Sequence, residues 1–274
     1  MRTIDAHLHV WDLAVSDYAW LGPGHGALHA SWSPQQAHAE LDAAGIGGAI
    51  LVQAEDSRAD TRYLRDVATE NDWVLGVVGW VQLDDTAAAI RDLDEWTAHP
   101  AFRAVRHLLA DDPREFLELP AVRASLAELA RRGLPFEVHD AWPRSLAPAG
   151  ALDIPDLTLV IDHLGKPPRD TEARAGWRAA LARVAEHPLA VAKVSGLQSF
   201  GEPFTDGDAR EPFEVALELF GADRLLWGGD WPITVPSGGY PAAWTVYSRL
   251  IGELSGAEQE KILRTTAERV YRLT

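Results

Sequence analysis

Two histidines near the amino terminus are spaced so that they can act on one ligand. His7 and His9 lie two residues apart in the segment TIDAHLHV. Alternate residues of a β-strand point to the same face, so both imidazoles can converge on one metal ion or one substrate oxygen. The same two side chains could instead satisfy backbone groups at a strand end. This pair alone is therefore weak evidence for a site.

Three further residues of the same chemical types stand at the ends of later apolar runs, namely His139, His163 and Asp230. Imidazole and carboxylate groups ligate zinc and also act as general acids and bases. Structural interpretations stay open for all three: His139 could equally have a structural role, WGGD followed by Trp-Pro is good turn chemistry for Asp230, and Asp162 could hold His163 as a structural pair. The five groups are significant only if the fold brings their strand ends together.

The elements that must position these groups recur along the chain. Eight apolar or β-branched runs start roughly 23 to 45 residues apart, the interval of a parallel strand followed by a helix and a loop. They are residues 3–10, 48–55, 74–83, 101–109, 134–141, 157–165, 189–197 and 224–232. We predict an α/β fold, a single (β/α)8 TIM barrel domain over residues 1–274, in which the active site lies at the carboxyl ends of the strands.

Helix signals lie between the strand candidates. Ser33-Pro34 opens one helix, Ser57 precedes another, and Gly133 follows ASLAELARR as a stop signal. The segment 11–32, rich in Trp, Gly and His, is predicted to be a lid or a wall over the catalytic mouth.

Composition limits the function classes. The chain has 47% hydrophobic and 24% charged residues and no apolar run long enough to cross a bilayer. Its formal net charge of −16 argues against a nucleic-acid partner and favours a small-molecule substrate. With no cysteine, any metal must be held by imidazole and carboxylate groups. The amino terminus does not resemble a secretory signal, so we expect a cytoplasmic protein, a monomer or a homodimer without membrane contact.

At this point the motifs resemble a known family. HxH on the first strand, His after the fifth and sixth, and Asp after the eighth are similar to the pattern of the amidohydrolase superfamily. The resemblance covers nearly the whole chain and is closest to the sugar lactonase branch, with enzymes similar to L-fuconolactonase and L-rhamnonolactonase; 2-pyrone-4,6-dicarboxylate lactonases are more distant. The segments that carry it are HLHVWD, ILVQAEDSRADTRYLRDVA, GVVGWVQL, AVRHLL, VIDHLGKP, AKVSGL and LLWGGDWP.

The resemblance implies a hydrolase that opens the ester ring of a small lactone, most simply a sugar-acid lactone. Asp230 would activate water and later protonate the leaving oxygen, while His7, His9 and His163 would polarise the carbonyl. Binuclear relatives carry a lysine or glutamate on the fourth strand, where this chain has Arg106 and His107. A binuclear centre is thus disfavoured, and catalysis without a required cofactor is favoured over one divalent metal such as zinc. The ligands of such a metal would be His7, His9, His139 and Asp230.

Strand placement predicts substrate contacts from Arg106, His107, Lys193, Gln53 and Trp231, with a structural role left open for Arg106, Lys193 and Gln53. Lys166 is expected to be a solvated loop residue or a helix-end contact and not a catalytic base, and His25 is expected to be a surface residue. Two other functions stay open: a metal-dependent decarboxylase of the same superfamily, and a barrel that binds without catalysis.

Overall fold

The computed structural model describes residues 2–110, 112–139 and 142–273. Within them, each of the eight predicted runs contains a strand, and the strands form one parallel sheet in sequence order, β1 to β8. The last two residues of the fifth run, 140 and 141, lie outside the described residues. The strands are β1 Ile4–Leu8, β2 Gly48–Val52, β3 Val74–Gly79, β4 Phe102–His107, β5 Phe136–Val138, β6 Leu159–Ile161, β7 Ala190–Val194 and β8 Leu225–Trp227.

The sheet closes on itself through the residues that follow β8. The backbone N–H of His9 donates to the carbonyl of Trp231, and the N–H of Asp230 donates to the carbonyl of His7, both at 2.8 Å. Leu8 and Trp231 form a parallel bridge. The predicted TIM barrel is therefore confirmed, and its closure joins the first and last predicted site segments directly.

Helices cover the barrel and begin and end where local chemistry dictates. Ser33 caps α1 with a reciprocal bond to Gln36, the side chain of Ser57 accepts from Asp60 N at the start of α2, and Gly133 ends α4 at φ 63°. The α-helices are α1 Pro34–Ala44, α2 Arg58–Glu70, α3 Thr86–Trp96, α4 Pro120–Arg132, α5 Leu146–Gly150, α6 Thr171–Ala185, α7 Asp206–Phe220, α8 Gly239–Gly252, α9 Gly256–Glu260 and α10 Thr266–Val270, with a π-turn at Lys261–Thr265. No helix in these described parts of the chain has the length and apolar character needed to span a membrane.

The barrel interior has an apolar lower part. Small and branched side chains from seven strands fill it, and residues of the carboxyl-terminal segment close it from below. Its members include Ile4, Ile50, Val78, Ala104, Val160, Val191 and Leu226, with Val270 and Tyr271 beneath them. A second, larger apolar layer packs the outer faces of the strands against the helices. These two layers leave the carboxyl ends of the strands as the place for polar chemistry.

The segment 11–32 folds over that end. Trp11 pairs with Trp32 as an antiparallel bridge, the Tyr18 hydroxyl donates to Asp60 at 2.7 Å, and Trp20 donates to the carbonyl of Ala54 at 2.6 Å. These bonds fix the segment to the barrel, so it forms a wall of the mouth.

Candidate active site

A cavity of about 390 Å³ opens at the carboxyl ends of the strands. This volume lies in the range of small-molecule sites. Five residues predicted for the site line it: His9, Arg106, His139, His163 and Asp230. The rest of the wall comes from the 11–32 segment and from the loops, through Trp11, Trp20, His25, Ala54, Leu108, Ala110, Lys166 and Ile233.

Asp230 lies at the centre of a group of imidazoles. Its Oδ1 lies 3.8 Å from Nε2 of His7, 3.6 Å from Nε2 of His9 and 3.9 Å from Nε2 of His163. Its Oδ2 accepts a hydrogen bond from the side-chain amide of Gln198 at 3.1 Å. Oδ2 is thus fixed by the hydrogen bond from Gln198, while Oδ1 faces the three imidazole rings.

The backbone after β8 is shaped to place this carboxylate. Asp230 has φ 53°, a left-handed conformation that costs energy for a non-glycine residue and persists only where the surroundings enforce it. A Cβ on Gly228 would lie 2.6 Å from Cβ of His7, so only glycine allows this close approach to β1. The GGD sequence is therefore a geometric requirement of the site, which goes beyond its turn-forming tendency.

The charges of the cluster follow from burial and its neighbours. Burial alone would raise the pKa of Asp230, but its neighbours, His163 foremost, hold that pKa well below its ordinary value. Burial lowers the pKa of His9, against the pull of Asp230, and burial together with Lys193 lowers the pKa of His7 far below its usual range. At neutral pH the site therefore contains an ionised Asp230 beside neutral His7 and His9.

Beneath His7 lies a wholly buried polar network. Lys193 Nζ lies 2.6 Å from Glu137 Oε2, 3.0 Å from His7 Nδ1 and 3.1 Å from Asp162 Oδ1. The hydroxyl of Tyr271 donates to the other oxygen of Glu137 at 2.5 Å. An ammonium group can only donate, so its hydrogen bond to His7 makes Nδ1 of that ring the acceptor. Glu137 accepts a second hydrogen bond from it, and Asp162 completes the network as an ion pair.

This arrangement assigns the protons of both histidines. With Nδ1 of His7 accepting, the proton of its neutral ring sits on Nε2, which lies 3.1 Å from His9 Nε2 and can donate to it. His9 in turn donates from Nδ1 to the carbonyl of Val52 at 2.7 Å. Lys193, His7, His9 and Val52 thus form one chain of hydrogen bonds, and His7 Nε2, which carries the ring proton in it, cannot also accept from Arg106 Nη1 at 3.3 Å.

The same side chains also satisfy the spacing of a metal site. His7, His9 and Asp230 offer ligand atoms within 4.8 Å of one another, as do His7, Asp162 and His163, whereas His139 belongs to neither group. Ligand separations of 3.1 to 3.8 Å suit a tetrahedral ion with bonds of about 2.0 to 2.1 Å. The donor set of His7, His9 and Asp230 thus fits zinc, provided that His7 Nε2 first releases its proton.

Arg106 is the predicted substrate contact that reaches the cavity wall. Its guanidinium donates from Nη1 to Asp162 Oδ2 at 3.2 Å and from Nη2 to the carbonyl of Gln53. Nη1 also lies 3.3 Å from His7 Nε2. The side chain is 3% exposed, so a fixed positive charge stands at the floor of the cavity.

The other four predicted contacts lie behind the wall. Lys193 is fully buried beneath His7, and the amide of Gln53 donates to Asp56 at 3.0 Å. His107 stacks on Phe116 and lies 2.9 Å from Asp56, and the buried ring of Trp231 packs edge-on against Trp32. In this conformation these four side chains support the wall and do not line it.

Two residues that the sequence did not single out for the site line the cavity, Lys166 and His25, and both are half-buried. Lys166 has φ 60° and its N–H donates to the carbonyl of His163, so the loop after β6 turns back over the mouth. The signal for Lys166 was its position three residues after His163. The contact of Gln198 with Asp230 had no sequence signal that we recognised.

The fold and these residues define an amidohydrolase-type barrel. The sequence profile of the family described as amidohydrolase matches residues 4–273, so the chain belongs to the amidohydrolase family. The predicted family and the predicted hydrolase class are thereby confirmed.

Two relatives similar to this chain over most of its length are named as lactonases. The chain is 34% identical over 252 residues to the L-fucono-1,5-lactonase of Burkholderia ambifaria, covering 89% of this chain and 86% of the relative. It is 32% identical over 286 residues to the L-fucono-1,5-lactonase of Burkholderia multivorans, covering 98% and 96%. A crystal structure of an amidohydrolase from Burkholderia multivorans with bound zinc superposes with a TM-score of 0.91 at 31% identity, over 100% of both chains.

Proposed function

We propose that this protein hydrolyses the ester bond of a sugar-acid lactone. The observation that carries the proposal is the ionised Asp230, whose Oδ1 faces the Nε2 atoms of three histidines at 3.6 to 3.9 Å beside a cavity of about 390 Å³. The names of the two Burkholderia relatives support a lactone as the substrate.

The first step is the activation of water by Asp230. Gln198 holds Oδ2, so Oδ1 is the oxygen that can accept the proton of a water molecule bound against the imidazoles. The water oxygen attacks the lactone carbonyl as its proton passes to Asp230, and a tetrahedral intermediate forms. A carboxylate whose pKa is held this low is a weak base, so positioning of the water must supply much of the rate.

The second requirement is stabilisation of the oxyanion. His163, held by a 2.9 Å contact between its Nδ1 and Ser195, and the cation Arg106 both face the cavity and can meet charge on the carbonyl oxygen. His7 lies beneath His9 and orients it through the chain that starts at Lys193. Thus, of the three histidines expected to polarise the carbonyl, we assign that role to His163 and an orienting role to His7.

Collapse of the intermediate completes the reaction. The carbon–oxygen bond of the ring breaks, and the departing alkoxide takes the proton that Asp230 accepted. Because its pKa is held far below the ordinary value, protonated Asp230 is a strong acid and returns this proton readily. The product is the open hydroxy acid, and Asp230 is again ionised.

A metal is not required by this scheme. When bound to His7, His9 and Asp230, zinc would polarise the carbonyl or lower the pKa of water. Binding it would oppose two features of this chain: His7 Nε2 would have to lose its proton, and the cations Arg106 and Lys193 stand within 3.3 Å of the same ring. We therefore propose hydrolysis by the protein groups alone.

The direct test is acid release, followed with a pH indicator, from a panel of five- and six-membered aldonolactones that includes L-fucono-1,5-lactone. We expect saturable hydrolysis of at least one sugar lactone well above its spontaneous rate. If no lactone in the panel is hydrolysed, with or without added zinc, the proposal is wrong. Release of carbon dioxide from a hydroxybenzoate would then favour a decarboxylase.

A further inference from the structure

A second cavity lies at the opposite end of the barrel and concentrates positive charge. Its volume is about 530 Å³, and it lies between the carboxyl ends of α3 and α4, the start of β4 and the carboxyl-terminal segment. Among the described residues, four arginines line it, Arg103, Arg131, Arg132 and Arg272, with Asp94 as the one acidic residue of the wall. This is unexpected in a chain of net charge −16.

Two of these arginines are already neutralised. Arg131 bonds to Glu128 at 2.5 Å, and Arg132 contacts both Glu128 at 2.6 Å and Asp94 at 2.7 Å. Both also lie in the last turn of α4, where cations stabilise the helix dipole. A structural role therefore accounts for this pair.

The side chains of the other two arginines have no such pairing. Among the described residues, the half-buried side chain of Arg103 and the exposed side chain of Arg272 form no hydrogen bond or ion pair, and Nε of Arg103 is buried without a partner. Leaving a buried donor unsatisfied costs about 1 to 3 kcal/mol, so such a group is kept where a ligand or water meets it. Counted over the described residues, the four guanidinium groups exceed the carboxylates of Asp94 and Glu128 by two positive charges.

The backbone brings these two side chains to the cavity by close approach. Gly133 has φ 63°, and a Cβ there would overlap the guanidinium group of Arg272. A Cβ on Gly76 would lie 2.7 Å from Cγ of Arg103. The side chains of both arginines thus pack directly against a glycine. A larger residue at Gly76 or Gly133 would displace the arginine from the cavity wall.

We propose that this cavity binds the phosphate group of a small molecule, a phosphomonoester or a diphosphate, between Arg103 and Arg272. Guanidinium groups present paired donors that match phosphate oxygens, and two unpaired arginines match the two charges of a phosphate near neutral pH. The apolar wall of Phe102, Leu134 and Tyr271 provides space for the rest of the ligand. This site is separate from the catalytic mouth and does not depend on the lactonase proposal.

Calorimetric titration with inorganic phosphate and with pyrophosphate at constant ionic strength tests the site. We expect one saturable site in the unaltered protein, and a loss of affinity of at least about tenfold in R103Q and in R272Q, as for the loss of a charged hydrogen bond. The matched control is R183Q, which removes the same charge from an exposed arginine of α6. Circular dichroism checks the fold of each variant.

Two results would overturn the proposal: no saturable binding by the unaltered protein, or binding that the double variant R103Q/R272Q retains. The second result would place the anion elsewhere, for example near Arg106 and Lys166 in the catalytic mouth. If the variants do not fold, crystals of the unaltered protein grown with pyrophosphate decide the question. Density between Arg103 and Arg272 supports the site, and its absence there contradicts it.

Discussion

The upper and lower parts of the barrel interior are built by the same strands with opposite chemistry. On β7, Val191 belongs to the apolar lower layer, and Lys193, two residues later on the same face, belongs to the buried ionic network. On β4, Ala104 and Arg106 repeat the pattern. The lower layer is what a stable barrel needs, since it buries carbon without polar cost.

The upper layer is costly for stability and is explained by what it positions. Burying charges is seldom a net gain even when they are paired. Here Lys193, Glu137 and Asp162 place one hydrogen-bond donor on Nδ1 of His7 and thereby fix the protons of His7 and His9. The comparison teaches that the polar layer serves the site and the apolar layer serves the fold.

The largest expected effect is at the carboxylate itself. In D230N the amide can still meet Gln198, but it cannot take a proton from water. We expect turnover to fall by at least about 100-fold. The variant should still fold, with a lower melting temperature, because the depressed pKa of Asp230 means that its ionised form stabilises the folded state. The measurement is kcat for lactone hydrolysis, and near-normal kcat would remove Asp230 from the mechanism.

The next effect is at the buried ammonium. In K193M, His7 Nδ1 loses its donor and can instead donate to Asp162, which lies 3.3 Å away, so Nε2 becomes free to bind a metal. We expect kcat to fall and zinc affinity to rise, each by about 10- to 100-fold. Equilibrium dialysis measures the zinc affinity.

A control separates positioning from stability in that variant. Loss of Lys193 leaves the buried Glu137 without its cation, with Tyr271 as its remaining partner, at a cost of up to about 5 kcal/mol, and K193M/E137Q removes both charges. The double variant should recover stability without recovering kcat. If kcat returns together with stability, Lys193 has only a structural role.

At the mouth, the expected effect is a change in how stability depends on pH. Burial raises the pKa of Asp60, the anchor of Tyr18, from 3.8 to about 6. The folded state therefore favours the protonated carboxyl. Its stabilising contribution is complete below pH 3.8 and is lost as pH rises through 6, where the buried carboxyl must ionise. The loss is about 3 kcal/mol. Urea unfolding at several pH values should show it in the unaltered protein relative to D60N, and parallel curves would refute it.

The smallest expected effect is in the apolar layer. V191A removes two methyl groups from the lower interior and should lower the free energy of unfolding by about 2 kcal/mol. The turnover of the folded protein should stay within about twofold, since no site contact changes. Denaturant unfolding and kcat measure the two quantities. A large loss of kcat would show that the lower layer also shapes the site.

The fold could be predicted because its signals are local. Each apolar run, together with the caps at Ser33 and Ser57 and the stop at Gly133, specifies its own element, and the spacing then indicates a parallel barrel. The cluster of His9, His163 and Asp230 was predictable for a related reason, because parallel strands end on one face.

How deep each inward-facing side chain lies along the barrel axis could not be predicted from the sequence. The sequence shows that Lys193 faces inward, but whether it reaches substrate or lies under His7 depends on the stagger of the strands. The loops pose a second problem: the positions of His25 and Lys166 on the wall depend on turns such as the left-handed Lys166, which apolar spacing does not encode. Contacts between distant segments, such as Gln198 with Asp230, require the folded structure.

The most direct test of the central claim is lactone hydrolysis by metal-stripped protein. The claim is that Asp230 and the histidine chain fixed by Lys193 hydrolyse the ester without a metal. Protein dialysed against a chelator, with its zinc content verified by elemental analysis, should keep its kcat within about twofold, since each step uses a protein group. A kcat that disappears on stripping and returns with one equivalent of zinc would contradict the account.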